Sequence, residues 1–299
     1  MTGLIDIKAG AKAFAHIQQN GLEADALSAV YGASGAAKWL AIYGLDRAIF
    51  GTWLAQNRTL PLNLFGTSVG AFKLAAAARA NPENALDELA SAYIAQSYPN
   101  GISPDIIRAE TDKILDTILS PQAIDEILAN PLYRYHCGAV LSKGRLGSEN
   151  ITQQKIAMAA AFTSNGFGRN AHLKRMDRVV FADPRAEPSL LGNDAYKTHR
   201  VEFTEANFRA AVQSSGSVPV IMHGVKNVEA APAGILRDGG LLDYHPIPSN
   251  ISNDNGLVLY PHFYPELTAG WFDKYFPWRK TTAAQMDNVI LISPSQKCL

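Results

Sequence analysis

Residues 62–72 read LNLFGTSVGAF, and how this stretch folds decides how the whole chain is read. The apolar run ends abruptly at Gly66, and GAFKLAAAARA (70–80) that follows is a strong helix former. Between them, Gly66 and Gly70 bracket Ser68 in a G-x-S-x-G pattern. A strand, a sharp glycine-flanked turn and a helix are the setting of a nucleophile elbow. The turn needs glycines because its backbone is strained and a neighbouring backbone approaches closely. The helix start behind the serine turns N–H groups toward any oxyanion that develops there. The alternative is a strand-to-helix turn that merely contains a serine. By composition such a pattern turns up by chance about 0.1 times in a chain of this length, which favours the catalytic reading.

Outward from that turn, strand-like and helix-like segments alternate. ALSAVY (26–31) reads as a buried strand, followed by a helix over AAKWLAIYGLDRAIF (36–50). Its spacing predicts one face built from Ala37, Leu40, Ala41, Gly44, Leu45 and Ala48. Ser103-Pro104 and Ser120-Pro121 each place serine at an N-cap and proline at the first helical position. Thr204-Glu205 opens another helix. Later strands are expected at YRYHCGAVL (133–141), RVVFAD (178–183), GLVLYPHF (256–263) and NVILISP (288–294). This alternation predicts an α/β sandwich with a mostly parallel sheet.

Composition removes several classes. Lys plus Arg and Asp plus Glu number 27 each, so no long-range field draws the chain to nucleic acid or an anionic surface. Cys137 and Cys298 form no disulfide framework and no zinc pair. HExxH, H-x-H and EF-hand spacings are absent, and SNDNG (252–256) has too few carboxylates for Ca²⁺, so no metal or other cofactor is expected. GASGAAKW lacks the second glycine before lysine and the Ser/Thr after it that a phosphate loop requires. The N-terminal residues lack the apolar core of a secretory signal, and no apolar run approaches 18 residues. A cytoplasmic location is therefore expected, and the N-x-[ST] sequons at Asn57, Asn150 and Asn250 read as chance matches.

A serine hydroxyl needs a base. The chain has seven histidines, and the order Ser, acid, His leaves Asp238 with His245 or His262 as one arrangement. Asp238 also stands out by itself, before two glycines in ILRDGGLLDYHP (235–246), where a carboxylate projects from a tight loop. A plain Asp-Gly β-turn is the simpler reading of that stretch alone.

Taken together, four stretches resemble the patatin-like phospholipase family of serine acyl hydrolases. YGASGAAKW (31–39) is similar to its Gly-rich loop, FGTSVGA (65–71) to its elbow, AVQSSGSVPVIM (211–222) to its small-residue segment ending in proline, here Pro219, and RDGGLLDYHP (237–246) to its D-G-[GA] motif. The resemblance implies a three-layer α/β/α sandwich over residues 1–299 as a single acyl hydrolase domain; residues 140–175, the least readable stretch, are read as an insertion over the site. It implies a Ser68–Asp238 dyad without histidine, hydrolysing a lipid acyl ester of phospholipase A or lysophospholipase type through an acyl-enzyme. By aligning Lys38 with the family's basic residue, the oxyanion donors fall on Gly35 and Ala36, with the Val69 amide as a third. Gly32, Gly66, Gly70, Gly239 and Gly240 are the loop and elbow glycines.

The chain departs from that family pattern at three places. Ser34, Gly35 and Ala36 stand where three glycines are preferred, Trp39 follows the basic residue, and His245 replaces an asparagine. An alanine forced to positive φ costs about 1 kcal/mol. A Ser-Asp-His esterase and a non-catalytic lipid-binding pseudo-hydrolase are the competing readings. The expected partner is a lipid or acyl-ester substrate, not nucleic acid, with a transient membrane contact as a further option. For that contact, YPHFYPELTAGWFDKYFPWRK (260–280) offers Phe272, Tyr275, Phe276 and Trp278. Packing on the core or around an acyl channel is the plainer reading of those aromatics. The sequence leaves the oligomeric state open.

Overall fold

The computed structural model describes residues 3–99, 101–186, 194–248 and 256–298. The SNDNG stretch (252–256), apart from its final glycine, and the Asn250 sequon lie outside them. In chain order the first elements are β1 (Ile5–Ala9), α1 (Ala11–Asn20), β2 (Leu27–Gly32), α2 (Tyr43–Ala48), α3 (Leu54–Asn57), β3 (Leu62–Thr67) and α4 (Val69–Ala77). Then come α5 (Pro82–Ile94), α6 (Pro104–Ile118), α7 (Pro121–Ala129), β4 (Tyr133–Ser142), α8 (Ile151–Asn165), β5 (Met176–Ala182) and β6 (Thr198–Glu202). The last are α9 (Glu205–Ser215), β7 (Val225–Lys226), β8 (Ile235–Asp238), β9 (Leu257–Pro261) and β10 (Val289–Pro294).

The strands form one sheet in the order β1-β10-β9-β2-β3-β4-β5-β6, and its centre, β10 through β4, is parallel throughout. Among the described residues, antiparallel pairing is confined to β1 on β10, β5 on β4, and the β7–β8 ribbon, which also joins β4. Alternation along β4 shows both faces covered. Cys137, Ala139 and Leu141 enter the main core beneath α4 and α9, while Val140 enters a second cluster with Ala157 and Ala161 of α8. The chain is therefore a mixed α/β fold, a mostly parallel sheet between helical layers, as the sequence pattern predicts.

α4 is buried along its whole length, in keeping with its lack of a polar face. Its one charged residue, Lys73, is tied to Asp46 at 2.9 and 3.0 Å, and Trp39 Nε1 donates to the same carboxylate at 2.7 Å. This contact overturns the helix read over residues 36–50. The segment is a 3-10 run (Ala36–Ile42), α2, and a π-turn (Ile49–Trp53). It buries Trp39, Ile42, Asp46, Ile49 and Phe50, and leaves Ala37, Ala41, Gly44 and Ala48 exposed. Of the predicted face only Leu40 and Leu45 pack against the core, because a charged residue, Asp46, is the inward anchor.

The caps fall where the sequence places them. Ser103 Oγ accepts from Ile106 N–H, Ser120 Oγ from Ala123 N–H, and Thr204 forms a reciprocal box with Asn207. Asn150, noted as a sequon, caps α8 by accepting from Gln153 N–H at 3.1 Å. Cys137 is buried and Cys298 exposed, and both are free. Among the described residues no helix is long and apolar enough to cross a membrane.

Candidate functional site

The site is set by how three strands share β4. β3 runs parallel to β4 and covers it as far as Thr67, opposite Gly138. β8 runs antiparallel along the same strand and ends with Asp238 opposite Ala139. Two chain ends pointing at each other thus meet beside consecutive residues of β4. Ser68 follows directly on Thr67, so the serine and the aspartate converge at this junction.

At the turn Ser68 has φ 54° and ψ −129°, a left-handed conformation that a serine adopts only under constraint. The constraint is backbone packing. A Cβ on Gly66 would lie 2.4 Å from the Gly70 carbonyl, and one on Gly70 would lie 2.2 Å from Gly32 O. The Ser68 N–H meets both the hydroxyl and the carbonyl of Ser215, at 3.0 and 3.1 Å. Ser215 Oγ in turn donates to Gly138 O at 2.6 Å. Sequence reasoning quoted Ser215 only as part of a motif; in the fold it holds the elbow to β4.

Asp238 is buried, with its N–H on Ser217 O at 3.0 Å. Its carboxylate accepts from Gly240 N–H at 2.7 Å, and the Ser68 hydroxyl stands beside it in the cavity wall. Burial pushes its pKa up to about 7, against the downward pull of those two groups. The glycines after it are needed for space. A Cβ on Gly239 would stand 2.2 Å from Gly138 O, and one on Gly240 2.5 Å from Ser34 Oγ.

A hydroxyl chain locks the loops together. Thr67 Oγ1 donates to Asp243 O at 2.7 Å, so the proton it shares with Ser34 Oγ at 2.9 Å is the Ser34 proton. Ser34 N–H donates to Tyr244 O at 2.8 Å. The Asp243 carboxylate takes both Nε and Nη2 of Arg178 at 2.7 and 2.8 Å, and Arg178 also grips Asp194. Gly-rich loop, elbow and aspartate loop are therefore tied to one another and anchored to β5.

Gly35 is extended at φ 174°, whereas Ala36 sits at φ 50°. The strain expected of an alanine there is present. Neither amide donates to an acceptor among the described residues, and both residues line the cavity over Ser68. Gly35 rests on Phe263, whose ring a Cβ at that position would strike at 2.4 Å. Val69 heads α4 with its side chain buried and outside the cavity wall.

The cavity holds about 490 Å³ and its wall is largely apolar. Ser68 and Asp238 form its polar end; Met158, Val218, Pro219, Ile221, Leu241 and Trp271 form much of the rest. The 140–175 segment contributes through α8, which supplies Met158 and Lys155. Val220, also in the wall, holds φ 74°, with its N–H on Gln154 Oε1 at 2.6 Å.

No described histidine lines this cavity. His245 and His262 are buried against each other, ring centroids 4.2 Å apart, and their Nδ1 atoms accept from the Thr268 and Tyr264 N–H groups. Burial keeps both imidazoles neutral, driving His262 down to about 3 and His245 well below its ordinary value. Among the described residues no group of three or more His, Cys, Asp or Glu side chains is placed to hold a metal ion.

No protein-family model matches the chain, and no curated protein matches it. One solved structure, VipD from Legionella pneumophila, aligns over 90% of this chain and 56% of its own length, at 12% identity and a TM-score of 0.35. The chain thus spans little more than half of that protein. A likeness at that level carries no inference about activity.

Proposed function

We propose that the chain is a serine acyl hydrolase that cleaves a carboxylic ester of a lipid through Ser68 and Asp238. One observation carries the reading. A serine held at positive φ on a strand–helix turn stands beside a buried aspartate, and both line one largely apolar cavity. Carboxylates are weak bases in water, but Asp238, lifted to about 7, has a proton affinity matched to neutral pH.

In the first half-reaction Ser68 Oγ attacks the ester carbonyl as its proton passes to Asp238. The oxyanion forms beside the Gly35 and Ala36 N–H groups, with the Val69 amide at the head of α4 as a third donor. The Ser68 N–H takes no part, because Ser215 already holds it. Collapse expels the alcohol, which leaves with the proton from Asp238, and an acyl-Ser68 ester remains. A water molecule then attacks that ester while Asp238 takes its proton. Breakdown returns the proton to Ser68 and releases the acid.

The apolar wall suits an acyl chain, since each methylene buried there gains about 0.8 kcal/mol. Hydrolysis of p-nitrophenyl butyrate and longer esters tests the reading. Activity is expected in the parent and lower by on the order of 10³ in Ser68→Ala with its circular dichroism unchanged. A folded parent inert to every chain length would overturn it.

A further inference from the structure

The wall of the cavity continues outward as a string of aromatic side chains. Trp271, in the wall, touches Tyr275; Tyr275 meets Phe162 of α8 edge-on at 5.3 Å; Phe162 lies 6.0 Å from Phe276, and Phe276 5.3 Å from Trp278. At the outer end the rings face solvent, with Trp278 72%, Tyr275 54% and Phe162 40% exposed. Phe272, grouped with them in the sequence, is buried beside His172 and does not belong to this surface. Large aromatic rings clustered at the surface, beside an opening, mark an interaction site.

Its charges select the partner. Lys155 is an exposed α8 residue that lines the cavity, and Lys274 Nζ lies 4.1 Å from the Trp271 ring centroid and 5.4 Å from that of Tyr275. Neither lysine has a carboxylate in ion-pair range among the described residues. Protein–protein interfaces enrich aromatics but deplete lysine. Trp and Tyr with flanking lysines are instead the pattern of a surface seated at headgroup depth, rings among the upper acyl carbons and ammonium groups among anionic headgroups. Zero net charge does not oppose this, because screening confines the attraction to the patch itself.

We infer that the face formed by α8 and residues 271–278 docks on an anionic lipid bilayer and sets the cavity mouth against it. The inference rests on the hydrolase reading for its purpose, since a lipid ester would then enter without crossing water. Its binding step requires no catalysis.

Co-sedimentation of the full chain carrying Ser68→Ala with large vesicles isolates that step. One set of vesicles is pure phosphatidylcholine, the other contains phosphatidylglycerol. Binding to the anionic set is expected to exceed the neutral set by about tenfold, and to fall by at least about tenfold in Phe162→Ser/Trp278→Ser. Lys155→Gln/Lys274→Gln is expected to abolish the preference between the sets. In the Ser68-containing chain, Phe162→Ser/Trp278→Ser should keep its hydrolysis of a soluble short ester. Equal sedimentation of parent and aromatic variant, or none by either, overturns the inference. So does a concentration-dependent dimer that disappears in the aromatic variant, because the face would then be covered by a second copy. Loss of vesicle binding leaves short-ester hydrolysis untouched, whereas failure of the hydrolase reading abolishes hydrolysis and leaves vesicle binding intact.

Discussion

Thr67, the last residue of β3, and Asp238, the last of β8, lie against the adjacent β4 residues Gly138 and Ala139 from opposite strand directions. That abutment brings Ser68, one residue beyond Thr67, beside a carboxylate 170 positions away in the chain, in the wall of one cavity. Every property proposed for the site depends on it.

Residues that act as a unit fail together. Ser68→Ala and Asp238→Asn should each lower kcat for ester hydrolysis by on the order of 10³, and the double variant should be no worse than the poorer single one. Steady-state kinetics on the three variants checks this. Additive losses would show that the two side chains work independently.

Stability should carry the mark of the buried carboxyl. Asp238 titrates at about 7 in the folded chain, against an ordinary carboxyl near 3.8. The folded state therefore binds this proton more tightly than the unfolded state does. The group's contribution to stability is fully present below about pH 4 and is lost as pH rises through 7. Asp238→Asn removes the penalty, so its Tm should exceed the parent's at pH 8, by an amount equivalent to a few kcal/mol, and converge with it near pH 4. Calorimetry across that range reads the difference.

Behind the elbow, Lys73 and Asp46 are both buried and paired with each other. Lys73→Met leaves a buried carboxylate with only Trp39 Nε1 for a partner and should cost about 3–5 kcal/mol in urea unfolding. Asp46→Leu/Lys73→Met removes both charges and should recover much of that loss.

Ser215 positions the elbow without touching the reacting atoms. Ser215→Ala deletes the hydroxyl between Ser68 N–H and Gly138 O, a loss of about 1–3 kcal/mol. Because the nucleophile's backbone is then less firmly held, kcat should drop while KM stays near the parent value. A merely structural serine would lower Tm and leave kcat per folded molecule unchanged.

Ala36 is held at φ 50° where glycine sits more easily. Ala36→Gly should relieve about 0.5–1 kcal/mol of strain, part of it offset by unfolded-chain entropy, with kcat retained or raised. Ala36→Val should lower both stability and kcat, since a β-branched residue tolerates this region least.

The sequence carried the frame because its signals were local. Ser-Pro caps, the Thr204–Asn207 box and the apolar runs of β2, β3, β4, β9 and β10 each act within a few residues. Ser68 and Asp238 stood out for the same reason, each in its own glycine turn. What escaped reading depends on partners far along the chain. α8 shows no strong apolar stripe; it packs chiefly on the neighbouring turns 144–147 and 169–172, while the apolar cluster it shares with Leu241, Leu242 and Phe272 reaches distant chain. Asp46 falls outside the apolar face that the spacing predicts, and its place inside depends on Lys73, 27 residues on. Ser215 and Asp243 lie inside the quoted stretches 211–222 and 237–246 with no role of their own there, Arg178 only opens a strand candidate, and only the fold around β4 gives the three their roles.

The most direct measurement is the rate at which a fluorophosphonate labels the intact chain, followed by mass spectrometry from pH 5 to pH 9. One adduct on Ser68 is expected, with a rate that rises through an apparent pKa near 7 in the parent and is flat and far lower in Asp238→Asn. Labelling of Asp238→Asn at the parental rate and pH profile, or no adduct on Ser68 in a folded chain, would contradict the Ser68–Asp238 assignment.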